Sequence, residues 1–303
     1  MSRIRTTVVL TFLAIVTGFS INVKAGPRDL KPVKADVIEK MTQAMPDEPI
    51  VLPKKSFPIF GKRPERKVMV FYLCDGFYHG SIPAINKFVE ILGEKTGAYK
   101  TDISQDINIF TPEKLAEYEA IIFNNTTKIR FKNDEQKKAL MDFVKNGKGI
   151  VGIHGASDNF YDFPEAAAMI GGLFDGHPWT ANGTWSIKLD ETDHPLNKGF
   201  EGGKFKIKDE IYQIKGPYSR DTHRVLLTLD LEDEATGKKN GKRKDKDYAV
   251  SWIKKCGEGR VFYCGLGHND SVFFHKGVVN HFISGIQYAI GDLKADDTPS
   301  NKK

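Results

Sequence analysis

From Lys67 onward the chain alternates wholly apolar runs with amphipathic ones. The run "KVMVFYLC", bounded by charge and glycine, predicts a buried strand, and Ser81 with Pro83 opens the helical run "IPAINKFVEILGEKTG". A shorter strand at "YKTDIS" follows, then a short helix "TPEKLAEY" with Thr111 as N-cap and Pro112 in its first position, then a third strand "AIIFNNT". "NDEQKKALMDFVKNG" begins acidic, carries Lys145 near its end and stops at Gly147, which predicts a helix; "GIVGIH" is the fourth strand. Apolar strands separated by helices imply a parallel sheet covered on both faces, a doubly wound α/β architecture. After about residue 185 the rhythm changes. "WSIKLD", "FKIKDEIYQI", "VLLTLDL", "YAVSWIKKC" and "RVFYCGLG" read as an antiparallel extension of the same sheet, and "KGVVNHFISGIQYAIG" as a closing helix.

The flanks differ in kind. Residues 1–25 combine Arg3 and Arg5 with the apolar run "VVLTFLAIVTGF" and the small-residue ending "VKA", the pattern of a signal peptide cleaved after Ala25. Export to a periplasmic or extracellular location is therefore expected, with no stable membrane insertion after cleavage. Residues 26–66 are rich in proline around the amphipathic piece "DVIEKMTQAM" and read as a strap or linker; residues 67–292 form the domain, and 293–303 a polar C-terminal tail.

Composition narrows the function little. The formal charge of +6 belongs to all 303 residues, and loss of the signal peptide lowers it to about +3. The basic stretch "KKNGKRKDK" follows the acidic "EDE" and reads as a solvated hairpin loop, so no nucleic-acid partner is expected. Three cysteines make no disulfide framework: Cys74 and Cys264 end apolar runs, where a free thiol acts as a small hydrophobe, and a bridge between them is the alternative.

Ligands of open α/β sheets bind beyond the carboxyl ends of the strands, which filters the polar residues. Strand one delivers Asp75 and His79, strand three Asn124, Asn125 and Thr126, strand four His154 and Asp158, and the last strand His268, Asn269 and Asp270. The turn "GIHGAS" has the small-residue punctuation of a strand-to-helix elbow, with His154 in the slot that serine or cysteine fills in acyl-transfer enzymes. An imidazole there suits a metal ligand, a base or a sugar hydrogen bond, and excludes acyl-enzyme chemistry at this position. In "GGLFDGHPW" a loop histidine, His177, precedes Trp179, whose indole face suits a pyranose. In "KDEIYQI" strict strand alternation puts Glu210 and Tyr212 on one face and leaves Asp209 solvated.

The segments "GKGIVGIHGASDNFYDFPEAAAMIGGLFDGHPW", "DHPLNKGF", "DEIY", "VSWIKKCGEGRVFYCGLGHND" and "GIQYAIG", in that order between Lys67 and Gly291, resemble the ThuA-like (trehalose utilisation) family. The resemblance implies a flavodoxin-like fold related to class I glutamine amidotransferases, without the amidotransferase cysteine. It also implies a role in carbohydrate metabolism with trehalose or keto-disaccharides as the substrate class. Its recurring polar positions fall on His79, His154, Asp158, His177, Glu210 and His268. One position departs: where some members carry an acidic residue three before the first-strand histidine, this chain has Gly76, with Asp75 beside it.

Two functions follow. The first is an enzyme processing a sugar or keto-glycoside as isomerase, lyase or hydrolase, with His154, His177, Asp158 and Glu210 catalytic, and with His79, Asn124, Asn125, Trp179, Tyr212, His268 and Asn269 binding substrate. In that enzyme His79, His154, His177 and His268 would hold a divalent ion, Glu210 completing the shell. A sugar dehydrogenase acting upstream would supply a keto-sugar. The second function is a carbohydrate-binding module that keeps the pocket without turnover. Convergence of so many titratable groups on one rim favours the enzyme. Oligomeric state is left open.

Overall fold

The computed structural model describes residues 28–52 and 66–302; the expected signal peptide lies outside the described residues, as does part of the expected strap. A helix, α1 (Ala35–Ala44), precedes the sheet. There follow β1 (Lys67–Phe71), α2 (Ile82–Thr96), β2 (Lys100–Ser104), α3 (Pro112–Leu115), β3 (Ala120–Asn124), α4 (Asp134–Lys145) and β4 (Gly149–Ile153). The second half runs α5 (Pro164–Ile170), β5 (Leu173–Phe174), β6 (Thr184–Leu189), β7 (Lys204–Lys208), β8 (Ile214–Lys215), β9 (Arg224–Leu229), α6 (Glu234–Gly237), β10 (Ala249–Cys256), β11 (Gly259–Cys264) and α7 (Lys276–Ala289).

Nine strands form one sheet in the order β2-β1-β3-β4-β11-β10-β9-β6-β7. Pairings from β2 to β11 are parallel and those from β11 to β7 antiparallel, so the α/β reading with an antiparallel extension holds. Period-two alternation divides the core. Val68 and Val70 of β1 join a cluster with Phe88 of α2 and Phe282 of α7, whereas Met69 and Phe71 join one with Leu140 of α4 and Ile170 of α5. The amphipathic piece near residue 40 is a helix packed on α2, with Met41 and Ala44 in the first cluster. The last residues lie against β9: Ser300 donates its N–H to the His223 carbonyl and its Oγ accepts from Val225 N–H. All three cysteines are free, with Cys74 and Cys264 buried.

Local signals act as sequence implies, with one exception. Asn133 and Thr111 cap α4 and α3 by accepting from Gln136 and Lys114 N–H. Ser81 does not cap α2. Its Oγ donates instead to the Gly267 carbonyl (2.7 Å) and accepts from Asn125 Nδ2 (3.1 Å), tying the loops after β1, β3 and β11 together.

Candidate functional site

Beyond β1 the chain turns at residues 75–77 to deliver His79. The turn is braced by the continuation of β3: Thr127 accepts from the N–H groups of Asp75 (2.9 Å) and Gly76 (3.2 Å), and its Oγ1 donates to the Phe77 carbonyl (2.7 Å). Beyond β4, His154 adopts φ 42°, a left-handed conformation rare for a residue with a Cβ, as it enters a single 3₁₀ turn, His154–Ser157. This is the elbow that its glycines predict. Gly155 must be small, since a Cβ there would lie 3.0 Å from His79 Cε1 and 3.1 Å from Asn125 Oδ1.

His154 Nδ1 lies 2.7 Å from the Gly265 carbonyl. A carbonyl only accepts, so Nδ1 donates to it and Nε2 is the ring nitrogen left toward Glu210. His79 Nε2 lies 3.1 Å from the Tyr212 hydroxyl, and its Nδ1 is buried without a hydrogen-bond partner. The third imidazole, His268, follows β11; its Nδ1 lies 3.3 Å from Glu210 Oε1, and His154 Nε2 lies 3.7 Å from the same oxygen. The ring of His79 meets those of His154 and His268 edge-on at 4.9 and 5.3 Å. Donor atoms of His79, His154, Glu210 and His268 all lie within 4.8 Å of one another. His79 Nδ1, His154 Nε2 and His268 Nδ1 are buried with no hydrogen-bond partner. Such orphans are rare in native interiors and ask for a ligand.

Electrostatics follow from this crowding. Burial holds the His79 imidazole well below its ordinary value, and the neighbouring His154 and His268 add to the effect. Burial works against the Glu210 carboxylate, but His154 and His268 outweigh it and hold its carboxyl well below the usual range. The same carboxylate raises His268 against the effect of burial. Burial raises the Asp158 carboxyl, which accepts from the Tyr161 hydroxyl at 2.6 Å.

A family model described as trehalose utilisation, ThuA, matches residues 67–289. The chain belongs to the ThuA family. Among solved structures, a ThuA-like protein from Bacteroides uniformis ATCC 8492 is 22% identical with a TM-score of 0.64, covering 81% of this chain and 100% of its own. Another, from Parabacteroides merdae ATCC 43184, is 16% identical with a TM-score of 0.56, covering 79% and 99%. At these identities the likeness concerns the fold. No curated protein matches the chain. ThuA membership supports a carbohydrate-related function in general.

Within this ThuA fold several expected roles change. His177, half-exposed, stands outside the 4.8 Å group and reaches it through Glu210 Oε2, 3.2 Å from its Nδ1, so the fourth donor is Glu210. Trp179 offers no sugar platform: its indole is fully buried, stacked edgewise on Tyr248, and donates to the Thr236 carbonyl (3.0 Å). Asn124 spends its amide on the Ile82 carbonyl and Asn86, Asn125 on Ser81, Gly267 and Gly155, and Asn269 on the Ala181 and Lys208 carbonyls. All three asparagines hold loops in place. Asp209, expected in solvent, is fully buried; it accepts from the N–H groups of Gly267 (2.7 Å) and Asn269 (2.8 Å), which flank His268. Strand alternation ends at Lys208, so it does not govern the next residue. Burial pushes the Asp209 carboxyl up to about 6, against His154 and the two amides. Ser81 and Asp209 are the residues sequence reasoning missed, both for tertiary bonds without a local signal.

Proposed function

We propose that the chain is an exported, divalent-metal-dependent enzyme that processes a disaccharide or keto-glycoside. The observation that carries the reading is the gathering of three imidazoles and the Glu210 carboxylate within 4.8 Å, with one buried nitrogen on each ring making no hydrogen bond. Three nitrogens and one oxygen form a donor set that suits Zn, Fe, Ni or Mn. Spacing supports the fit: metal bonds of about 2.1 Å require donors roughly 3–4 Å apart, so a small inward shift of side chains suffices. Second-shell bonds also suit it: the Gly265 carbonyl accepts from His154 Nδ1, and the Tyr212 hydroxyl, 3.1 Å from His79 Nε2, orients that ring. A bound ion would supply Lewis acidity toward a sugar carbonyl or a water molecule.

The remaining groups divide the proton work. His177 stands half-exposed against Glu210 Oε2 and is placed to exchange protons with substrate entering from solvent. Asp158, its carboxyl raised by burial, is the acid on the other flank, with Tyr161 as its hydrogen-bond partner. Burial also pushes the Tyr212 phenol up, so it stays neutral and positions His79.

Two measurements test this reading. Metal analysis of the exported chain, whose N-terminus should begin at Gly26, should find about one ion per chain, and His154→Ala should lose ion and turnover together across trehalose, its keto form and related glycosides. Sugar affinity without turnover, and without an ion, would instead identify a binding module.

A further inference from the structure

We propose that Phe77 is a stacking platform for the apolar face of a pyranose ring bound beside the His79–His154–Glu210–His268 centre; this rests on the proposed function and adds the group that orients its substrate. Phe77 is 58% exposed, whereas His79, two residues on, is 2% exposed. Their rings meet edge-on at 4.8 Å and 78°, so the phenyl ring borders an imidazole that belongs to the four-residue donor group. Single exposed apolar side chains are ordinary on a surface, but this one touches a buried metal-ligand candidate and sits on a braced loop.

The brace matters. Thr127 holds the Phe77 carbonyl through Oγ1 and the two preceding N–H groups through its own carbonyl, and a Cβ on Gly76 would lie 3.0 Å from Thr127 Oγ1. The backbone that carries the ring is thus fixed before any ligand arrives, which lowers the ordering cost of binding. A pyranose has one face of C–H groups and an equator of hydroxyls, so it matches a phenyl ring set next to carboxylate and imidazole groups. Those polar groups are present: Glu210 Oε2 with His177, and Asp158 with Tyr161. Phe174, 4.4 Å from the Tyr212 ring and 5.9 Å from His177, supplies a second aromatic border. Trp179 is buried and takes no part.

Calorimetric titration of the ion-loaded mature chain with trehalose, methyl α-glucopyranoside and the acyclic polyol sorbitol tests the platform. Both pyranosides should bind more tightly than sorbitol; Phe77→Ala should weaken trehalose binding at least tenfold with ion content and melting temperature unchanged, and Phe77→Trp should restore it. Trehalose affinity unchanged in Phe77→Ala overturns the platform alone. Failure of the unmodified chain to bind either pyranoside overturns the platform and the sugar reading together, and intact ion content in that case leaves the metal centre standing. Loss of ion in Phe77→Ala would show that the ring serves His79 and not the sugar, and would equally overturn the proposal.

Discussion

Asp209 and Trp179 show how a residue's surroundings overrule its type. A carboxylate that accepts from two backbone amides, with His268 between them, shapes the candidate centre from outside its donor group. Asp209→Asn exchanges one acceptor oxygen for a donor facing an N–H, and outer-shell changes of this kind typically cost 10–100-fold in metal affinity. Competition against a graded chelator series should show that loss; unaltered ion affinity would remove Asp209 from the site. Trp179→Ala should act on stability instead, lowering the unfolding free energy by about 3–5 kcal/mol in a denaturant titration. A variant of undiminished stability would mean the indole is not core. The strand-end filter read His79, His154 and His268 correctly as neighbours, because a doubly wound sheet brings strand ends to one rim whatever their distance along the chain; Glu210 came from strand alternation instead. Residue type could not separate a sugar platform from a core aromatic: Trp179, between β5 and β6, is fully buried, whereas Phe77, after β1, is exposed.

Elements were legible where periodicity was long. The helices at 82–96 and 134–145 and the apolar strands fall where the pattern put them, while "FKIKDEIYQI" is not one strand: β7 ends at Lys208, where Asp209 turns inward to the loop after β11, and the last residue of the run begins β8. Helix α7 carries a consequence for pH. His281 on its buried face contacts the Leu196 carbonyl (2.9 Å) and Ser251 Oγ (2.8 Å), and burial lowers it to about 4. Just before β9, His223 is likewise lowered to about 4, by burial and then by the Lys254 charge. The unfolded value is about 6.5, so between these limits the unfolded chain holds protons that the native chain lacks. Stability contributed by the neutral rings is complete above about pH 6.5 and is lost as pH falls toward 4. Proton uptake on unfolding near pH 5 should therefore be smaller by about one proton in His281→Asn, which keeps a donor for Leu196. Equal pH slopes for the two proteins would show that His281 titrates normally.

At the scale of the molecule, the candidate centre joins parts of the sheet built by different rules. His79 follows β1 and His154 follows β4 in the parallel half, His268 follows β11 at the junction, and Glu210 follows β7, the antiparallel edge. An ion bound by all four ties these segments in the native state and has no preformed site in the unfolded chain, so binding free energy becomes folding free energy. With free ion at about 100 times its dissociation constant the gain is about 2.7 kcal/mol, and for a domain of this size each kcal/mol moves the melting temperature by about 2–4 °C. Chelation should thus lower the melting point by about 5–10 °C, and restoring the ion should reverse it. His268→Ala and Glu210→Gln, on separate segments, should each abolish most of the shift, whereas His177→Ala, outside the donor group, should retain it. A shift that survives in Glu210→Gln would mean that the three imidazoles hold the ion without the antiparallel half, and one that vanishes in His177→Ala would return that histidine to the ligand shell.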